Sequence, residues 1–210
     1  MTTAVPMALL SDNATIGSDG SLFIGGCSVS ELAATYGTPL FVYDEDHLRA
    51  RCREAVQAFG RRNVVYASKA FLCKAMALLA YEEGLLLDVA TGGELHIVLA
   101  AGVPASACVM HGNNKSVQEL RQAITAGVHH IVVDSFDEMD RLDALHTEGL
   151  PCPDVLLRIT PGVHAHTHEF IATGQDDSKF GFNLGNGDAA RAVDRATLSL
   201  IHISEPTRPY

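Results

Sequence analysis

A regular alternation of apolar and amphipathic segments places the strongest constraint on how this chain folds. Short apolar runs are followed by longer stretches with helical spacing, and successive runs are about two dozen residues apart. This alternation is typical of parallel β-α-β units whose strands are covered on both faces. The runs lie at residues 64–66, 85–87, 107–110, 130–133 and 155–157, and the predicted helices span residues 71–83, 93–101, 116–126 and 136–148.

Local signals at the helix ends support this interpretation. Each predicted helix is followed by a glycine, which can adopt the left-handed conformation that ends a helix. Ser116 and Ser135 lie where a side chain can cap a helix start. The predicted fold class is therefore α/β, as a doubly wound sheet or a β/α barrel. No G-x-G-x-x-G motif follows the first strand, which argues against a dinucleotide-binding sheet. The glycines are Gly84, Gly102, Gly127 and Gly149.

The first part of the chain follows a different pattern. Residues 1–38 are rich in Gly and Ser, so we expect loops with one or two short strands, such as residues 21–25. The apolar run at residues 40–43 predicts another short strand. Asp44 follows directly, where it can cap a helix that runs to about Phe59.

Composition and charge argue against several classes of partner. The chain carries 25 acidic and 15 basic residues, a formal charge of −10, without a long run of Lys or Arg. This balance argues against a nucleic-acid or anionic-membrane partner. No apolar stretch is long enough for a spanning helix, and the N-terminus lacks the basic start of a signal peptide. The five cysteines are scattered, so we expect reduced thiols in a cytoplasmic protein.

Each predicted strand is followed by a titratable or hydrogen-bonding residue. In either candidate fold, the functional site lies at the C-terminal ends of the strands. One polar group at a solvated strand end is common, and an Asp or Ser there can simply cap the next helix. Five such ends in succession predict a site for a polar ligand. The residues concerned are Lys69, Asp88, His111 to Lys115, Asp134 and Arg158.

Lys69 is the most informative of these residues. Its neighbours Ala67, Ser68 and Ala70 are small and leave room for a bulky group beside it. A lysine buried at a strand end loses hydration, which lowers its pKa and frees the amine as a nucleophile. We expect Lys69 to be a lysine of the Schiff-base type, although an isolated lysine more commonly extends into solvent.

Three segments of the sequence together resemble a known family. Residues 66–70 read Y-A-S-K-A, residues 88–95 read D-V-A-T-G-G-E-L, and residues 111–116 read H-G-N-N-K-S. They resemble the corresponding segments of diaminopimelate decarboxylases, which are pyridoxal-phosphate enzymes with an alanine-racemase-type barrel. The resemblance extends over about residues 20–197. Further matching segments follow in the family's order at residues 158–162, 166–168, 173–174 and 178–181.

The resemblance implies a role for each candidate site residue. Lys69 would hold pyridoxal phosphate covalently until the substrate amine displaces it, and Lys69 or a neighbour would later return a proton. Ala67 and Asp88 would line the cofactor pocket. Arg158 would approach the ring hydroxyl, where a cation balances the phenolate. For Glu94 two roles stay open, because it either orients groups of the site or favours the start of a helix. Lys115 and Lys179 are further candidates.

The implied reaction converts the small-molecule amino acid meso-2,6-diaminopimelate to L-lysine and CO₂. The resemblance also implies a homodimer of the full-length protein. Ornithine- and arginine-type decarboxylases share the lysine segment, so they are the second hypothesis. A non-catalytic barrel relative is the third, although a purely binding protein has no need of Lys69.

A histidine cluster raises the question of a metal site. His164, His166 and His168 alternate along the chain, and imidazole is a common zinc ligand. No acidic or cysteine partner is suitably spaced, and the family pattern already accounts for two of the histidines. We therefore predict no metal.

The number of repeating units suggests that the barrel is incomplete. A β/α barrel has eight strand–helix pairs in about 250 residues, whereas this chain offers five strands and a candidate sixth near its end. We predict an N-terminal segment at 1–38, which in the family belongs to a β domain, and a truncated pyridoxal-phosphate-binding barrel at 39–197. Residues 198–210 resemble translated adapter DNA and are predicted to be a non-native tail. Such a chain is expected to bind the cofactor poorly and to be inactive alone.

Overall fold

The chain forms two compact units, residues 1–61 and residues 62–210. The structure, a computed structural model, describes residues 6–162, 180–198 and 202–203, the last pair by backbone only. The first unit contains a small antiparallel sheet and two helices. Its strands are β1 (Thr15–Ile16), β2 (Leu22–Ile24) and β3 (Cys27–Ser28), and its helices are α1 (Val29–Tyr36) and α2 (Glu45–Phe59).

Two predictions for the first unit were wrong. Residues 1–38 were expected to hold only loops and strands, but they include α1, which Ser28 caps by accepting a hydrogen bond from the Glu31 amide. Residues 40–43 were expected to form a strand, yet they belong to none of the described sheets. An apolar run forms a strand only where a neighbouring strand exchanges backbone hydrogen bonds with it. None of the sheets formed by the described residues includes residues 40–43.

The predicted cap of α2 is confirmed. One carboxylate oxygen of Asp44 accepts a hydrogen bond from the His47 amide at 3.1 Å, and the other accepts one from the Ser11 hydroxyl at 2.7 Å. These hydrogen bonds hold the pKa of Asp44 below its usual range. The helix ends at Phe59, as expected, and Gly60 follows with a positive φ of 90°.

The second unit contains a parallel six-stranded sheet whose strands are ordered as they occur in the chain. A doubly wound sheet reverses its strand order, whereas a barrel adds each strand beside the last. The sequential order therefore favours the barrel. The strands are β4 (Val65–Ala67), β5 (Leu86–Val89), β6 (Cys108–Met110), β7 (His130–Val133), β8 (Asp154–Leu157) and β11 (His202–Ile203). A separate pair joins β9 (Ile159–Thr160) to β10 (Phe182–Asn183) in parallel.

The described residues of this unit form five helices, and three of the four helices predicted from the sequence have bounds within one residue of the prediction. The helix predicted from residue 71 instead begins at Lys74, because the Tyr66 hydroxyl donates to the Phe71 carbonyl oxygen and the backbone there stays extended. Ser116 and Ser135 cap their helices, as predicted. The helices are α3 (Lys74–Glu82), α4 (Gly92–Ala100), α5 (Val117–Ala126), α6 (Phe136–Thr147) and α7 (Asp188–Leu198).

The core of the second unit lies between the sheet and its helices. Leu87 and Ile131 on the strands are fully buried, as are Val98, Leu120 and Leu145 on the helices. Each such side chain contributes about 1.5–3 kcal/mol when it is buried. This packing fixes the positions of the strand ends. Within the described residues, no helix combines the length and apolar character that crossing a bilayer requires.

Candidate active site

A cavity of about 300 Å³ lies at the C-terminal edge of the parallel sheet. Its volume is at the lower end of the range for small-molecule sites. The loops after β4, β5, β6 and β8 supply most of its lining, as expected for a β/α fold. The lining residues are Lys69, Asp88, Ala90, Glu94, His111, Gly112, Asn113, Arg158 and Phe180.

A larger hollow of about 670 Å³ in the first unit is a weaker candidate. Its lining is mainly aliphatic and aromatic, and its charged groups are the carboxylates of Asp44, Glu45 and Asp46. Asp44 already caps α2. The hollow lacks any basic lining residue, so it offers neither an amine nucleophile nor a cation for an anionic ligand.

Lys69 lies in a short 3₁₀ turn, Ser68–Ala70, directly after β4. The prediction that it is buried was wrong, because the side chain is exposed. The reason is its place in the sheet: β4 is an edge strand, and only β5 lies beside it in the described part of the chain. Lys69 nevertheless lines the cavity, and its charge acts on Asp88 there.

Asp88 and His111 form the half-buried acid–base pair of the cavity. Burial raises the pKa of Asp88, while His111, when it is protonated, and the positive charge of Lys69 act in the opposite direction. Burial lowers the pKa of His111, and Asp88 opposes that shift. Since the ordinary pKa of histidine is about 6.5, His111 is expected to be neutral at neutral pH. The pair can therefore hold or accept protons beside Lys69.

Arg158 follows β8 and provides the fixed cation of the cavity. Its Nη1 lies 3.3 Å from Oδ1 of Asp134, which is buried. Its guanidinium carbon lies 4.3 Å from the centre of the Phe180 ring, in a cation–π arrangement. Two contacts thus hold the guanidinium at the edge of the cavity, where it can pair with an anionic ligand group.

Glu94 takes part in the cap of α4, and it also lines the cavity. Its Oε2 accepts hydrogen bonds from the amides of Ala90 at 2.6 Å and Thr91 at 3.1 Å. The Gly92 amide at the same helix start donates to Glu119 at 3.0 Å. Phosphate binding at Gly92 would therefore have to displace an existing hydrogen bond.

The resemblance assigned a cofactor role to four residues, and the structure brings three of them together. Lys69, Asp88 and Arg158 line one cavity. Ala67 pairs with Asp88 across the β4–β5 ladder but does not line the cavity. Phe180 lies in one of the matching segments, but its contact with Arg158 was not predicted.

The structure pairs two residues, Lys115 and Glu138, whose contact the sequence did not predict. The fully buried ammonium of Lys115 forms an ion pair with Glu138. Lys115 was already a candidate because it follows a predicted strand. Glu138 showed only the ordinary pattern of an acidic residue in the first turn of a helix.

Some of the candidates lie outside the described residues, namely His164, His166, His168 and Lys179. Within the ranges that are described, no three His, Cys, Asp or Glu side chains are gathered in a metal-binding arrangement. The prediction of no metal therefore stays a prediction.

Comparisons with known proteins identify the family. Residues 45–204 match the model of the pyridoxal-dependent decarboxylase, pyridoxal binding domain. Diaminopimelate decarboxylase of Mycobacterium tuberculosis is 54% identical over 184 residues, covering 87% of this chain and 41% of that protein. The Bacillus subtilis enzyme is 52% identical over 184 residues, covering 86% of this chain and 42% of that protein.

Solved structures give the same result for the fold. Diaminopimelate decarboxylase of M. jannaschii matches with a TM-score of 0.79 and 31% identity, covering 92% of this chain and 46% of that chain. The Helicobacter pylori enzyme, solved with L-lysine, matches with a TM-score of 0.74 and 27% identity, covering 83% of this chain and 44% of that chain.

The match also defines what part of these proteins is present. The chain spans about 41% of the length of the first relatives and corresponds to their N-terminal part. The prediction of a partial β/α barrel is confirmed, because the matching decarboxylases have that fold. Pyridoxal phosphate is the cofactor that the domain match indicates. The chain therefore belongs to the pyridoxal-dependent decarboxylase family, whose pyridoxal-binding domain its residues 45–204 match.

Proposed function

We propose that this chain is the cofactor-binding part of an enzyme that decarboxylates meso-2,6-diaminopimelate to L-lysine and CO₂, the last step of lysine biosynthesis. The observation that carries the proposal is that Lys69, Asp88 and Arg158 line one cavity at the C-terminal edge of the sheet. The substrate follows from the named relatives at 54% and 52% identity. The structure of the H. pylori relative with L-lysine supports the identity of the product.

The residues present fit pyridoxal phosphate. Lys69 supplies an amine for an aldehyde, and Arg158 supplies a cation for a ring phenolate. Gly112, which lines the cavity, approaches the protein backbone closely: an added Cβ would lie 3.0 Å from the carbonyl oxygen of Ala90, and the φ of Gly112 is +103°. A substitution at Gly112 would therefore push against Ala90 and displace this part of the cavity lining.

Bound pyridoxal phosphate supplies an electron sink for the pair left behind when CO₂ departs. The chain's own residues then have distinct tasks. Lys69 would hold the coenzyme through its amine, and the same amine, once released, would be free to carry a proton to the reacting carbon. Arg158 would hold the ring hydroxyl and supply a positive charge beside it. Asp88 and His111 line the same cavity as Lys69 and can hold or accept a proton there.

The same proposal covers the localisation, assembly and partners of the full-length protein. By full-length protein we mean the complete product of the gene that encodes this chain. We place it in the cytoplasm, supported by five cysteines that are all free thiols. We propose a homodimer on the strength of the family resemblance alone. Partners are limited to the amino-acid substrate, without nucleic acid or membrane.

The predicted boundaries remain part of the proposal. We propose an N-terminal segment at 1–38, a cofactor-binding barrel at 39–197 and a non-native tail at 198–210. His202–Ile203 of that tail pairs with β8 as β11. The genomic reading frame beyond Thr197 tests the proposal, because a native barrel would continue there with a different sequence. We also propose that the 210-residue chain alone binds the cofactor poorly and is inactive.

The decisive experiment measures CO₂ release by the full-length protein with pyridoxal phosphate and each candidate substrate. We expect meso-diaminopimelate to give the highest kcat/KM, with ornithine, arginine and lysine as poor substrates. A higher kcat/KM on ornithine or arginine would establish the second hypothesis instead. No CO₂ from any substrate, together with no cofactor absorbance band, would establish the non-catalytic relative.

A further inference from the structure

A buried ion pair contacts Gly112, one of the residues that line the cavity. The side chains of Lys115 and Glu138 are 0% and 4% exposed, and Lys115 Nζ lies 2.6 Å from Glu138 Oε1. Burial raises the pKa of Glu138, and the Lys115 ammonium opposes that rise. Neither residue lines the cavity itself. The pair therefore has no direct contact with a ligand bound there.

Lys115 joins three parts of the fold. Its ammonium donates to the Gly112 carbonyl oxygen at 2.5 Å and to the Val132 carbonyl oxygen at 2.7 Å. The same ammonium forms an ion pair with Oε1 of Glu138. Gly112 lines the cavity, while Val132 lies on β7 and Glu138 on α6. Lys115 thus fixes the turn after β6 to the neighbouring strand and helix.

Glu138 extends the connection toward Arg158. Its Oε2 accepts a hydrogen bond from the Asp134 amide at 2.9 Å. Asp134 is 5% exposed, and its Oδ1 lies 3.3 Å from Arg158 Nη1. A continuous series of contacts therefore joins Gly112 on one side of the cavity to Arg158 on the other. We call this series, Gly112–Lys115–Glu138–Asp134–Arg158, the buried relay.

Stability alone gives little reason for an ion pair at this place. Removing two charges from water costs several kcal/mol per ion, and a well-packed apolar pair of similar volume often serves as well or better. An apolar pair cannot donate to the Gly112 carbonyl oxygen or accept from the Asp134 amide. What the ions add here is a fixed geometry between two cavity-lining residues.

We propose that Lys115 and Glu138 are positioning residues that set the Gly112 turn and, through Asp134, the guanidinium of Arg158 for the cofactor ring. This inference rests on the proposed function, because it assigns Arg158 to a bound pyridoxal phosphate. Neither residue touches the ring or the reacting atoms. Their effect is on cofactor affinity, because they preset the residues that hold the ring.

The test separates positioning from stability in the full-length protein. The double variant Lys115→Met/Glu138→Leu replaces both ions by apolar side chains of similar volume. We expect the melting temperature of the apoprotein to fall, because the buried Asp134 amide loses its acceptor, so the cofactor titration is made well below that temperature, where the variant is folded. We expect the dissociation constant for pyridoxal phosphate, measured by absorbance titration, to rise by about 10- to 100-fold, as losing the supports of a ligand-binding group commonly does. At saturating cofactor, kcat should change much less.

A second ion pair in the same unit gives a matched control. Arg195 Nη2 lies 2.7 Å from Asp143 Oδ2, between α7 and α6 and apart from the buried relay. Arg195→Met/Asp143→Leu should leave the cofactor dissociation constant unchanged. If the relay variant does not fold, Glu138→Gln replaces it. The glutamine has nearly the same shape, but its NH₂ group would face either the Lys115 ammonium or the Asp134 amide, both of which are hydrogen-bond donors.

The outcomes are distinguishable. Wild-type cofactor affinity in the folded relay variant, or in Glu138→Gln, would overturn the inference and leave the pair a structural feature. A wild-type protein that does not bind pyridoxal phosphate through Lys69 would instead overturn the proposed function. Loss of affinity in the relay variants, with the control unaffected, supports both.

Discussion

Gly181 packs so closely against Arg158 that a Cβ added to Gly181 would lie 2.6 Å from the carbonyl oxygen of Arg158 and 3.1 Å from its Cγ. Gly181 also has a positive φ of 72°. Next to it, the Phe182 amide donates to that carbonyl oxygen at 2.8 Å, the first bond of the β9–β10 pair. Because Gly181 has no side chain, the chain can pass close to Arg158 and help to position this residue, which supplies a cation to the cavity.

The substitution Gly181→Ala should weaken cofactor binding by displacing Arg158. Gly127→Ala is a matched control, since Gly127 has a similar φ of +75° but nothing within 4 Å of an added Cβ. Both variants incur the backbone cost of a positive φ, about 1–2 kcal/mol. Only Gly181→Ala should raise the dissociation constant for pyridoxal phosphate in the full-length protein. Equal dissociation constants for the two variants would show that the close approach to Arg158 has no bearing on the site.

Replacing Arg158 tests its assignment directly. Arg158→Met removes a cation that can form charged hydrogen bonds, each worth about 1.5–3 kcal/mol, so cofactor affinity should fall by about 10- to 150-fold. Arg158→Lys keeps the charge but loses the planar fork, and an intermediate loss is expected. Titration with pyridoxal phosphate measures both. Arg191→Met serves as a control, because Arg191 is an exposed arginine on α7 that pairs with Asp188. Unaltered affinity in Arg158→Met would remove Arg158 from the cofactor site.

Local sequence signals predicted most of the second unit. Buried apolar runs became strands, and Ser116 and Gly127 began and ended α5 as expected, because these signals act within a few residues. The three ligand-facing candidates Lys69, Asp88 and Arg158 were found because parallel strands bring their C-terminal ends to one edge. That argument depends only on the strands being parallel, and β4 to β8 do pair in parallel.

Long-range packing explains what the sequence did not predict. The exposure of Lys69 depends on β4 being an edge strand, which the local sequence around the lysine does not reveal. The pairing of Lys115 with Glu138 joins residues 23 positions apart (138 − 115), on elements whose contact only the fold creates. Residues 40–43 do not form a strand for the same reason, because a strand requires a neighbouring strand that exchanges backbone hydrogen bonds with it.

Glu119 should make the stability of the second unit depend on pH. Its Oε1 accepts from the Gly92 amide and its Oε2 from the Ser116 amide, and these bonds hold its pKa below the usual range. A lowered carboxyl pKa adds stability above the unfolded-state pKa of about 4.3, and this stability is lost as the pH falls through the folded-state pKa.

Glu119→Ala should therefore destabilise the apoprotein by about 1 kcal/mol near neutral pH. The difference from wild type should shrink as the pH falls below about 4. Thermal unfolding over that pH range measures it. Gln118→Ala, at an exposed position in the same turn, is the control. A difference that stays constant with pH would mean that the Glu119 charge does not contribute.

Lys69→Ala should abolish decarboxylation by the full-length protein. Loss of a positioned proton-transfer group alone costs about 10²- to 10⁴-fold in rate, and loss of the covalent attachment adds to this. Lys74→Ala changes an exposed lysine at the start of α3 and should leave the rate near that of the wild type. An undiminished rate of CO₂ release from Lys69→Ala would contradict the assigned chemistry.

The most direct measurement is the position at which the coenzyme becomes attached. Borohydride reduction of the full-length protein loaded with pyridoxal phosphate, followed by digestion and mass spectrometry, identifies the modified lysine. We predict a pyridoxyl group on Lys69, in the turn that follows β4. A modification on another lysine with Lys69 unmodified, or no modification at all, would contradict the account.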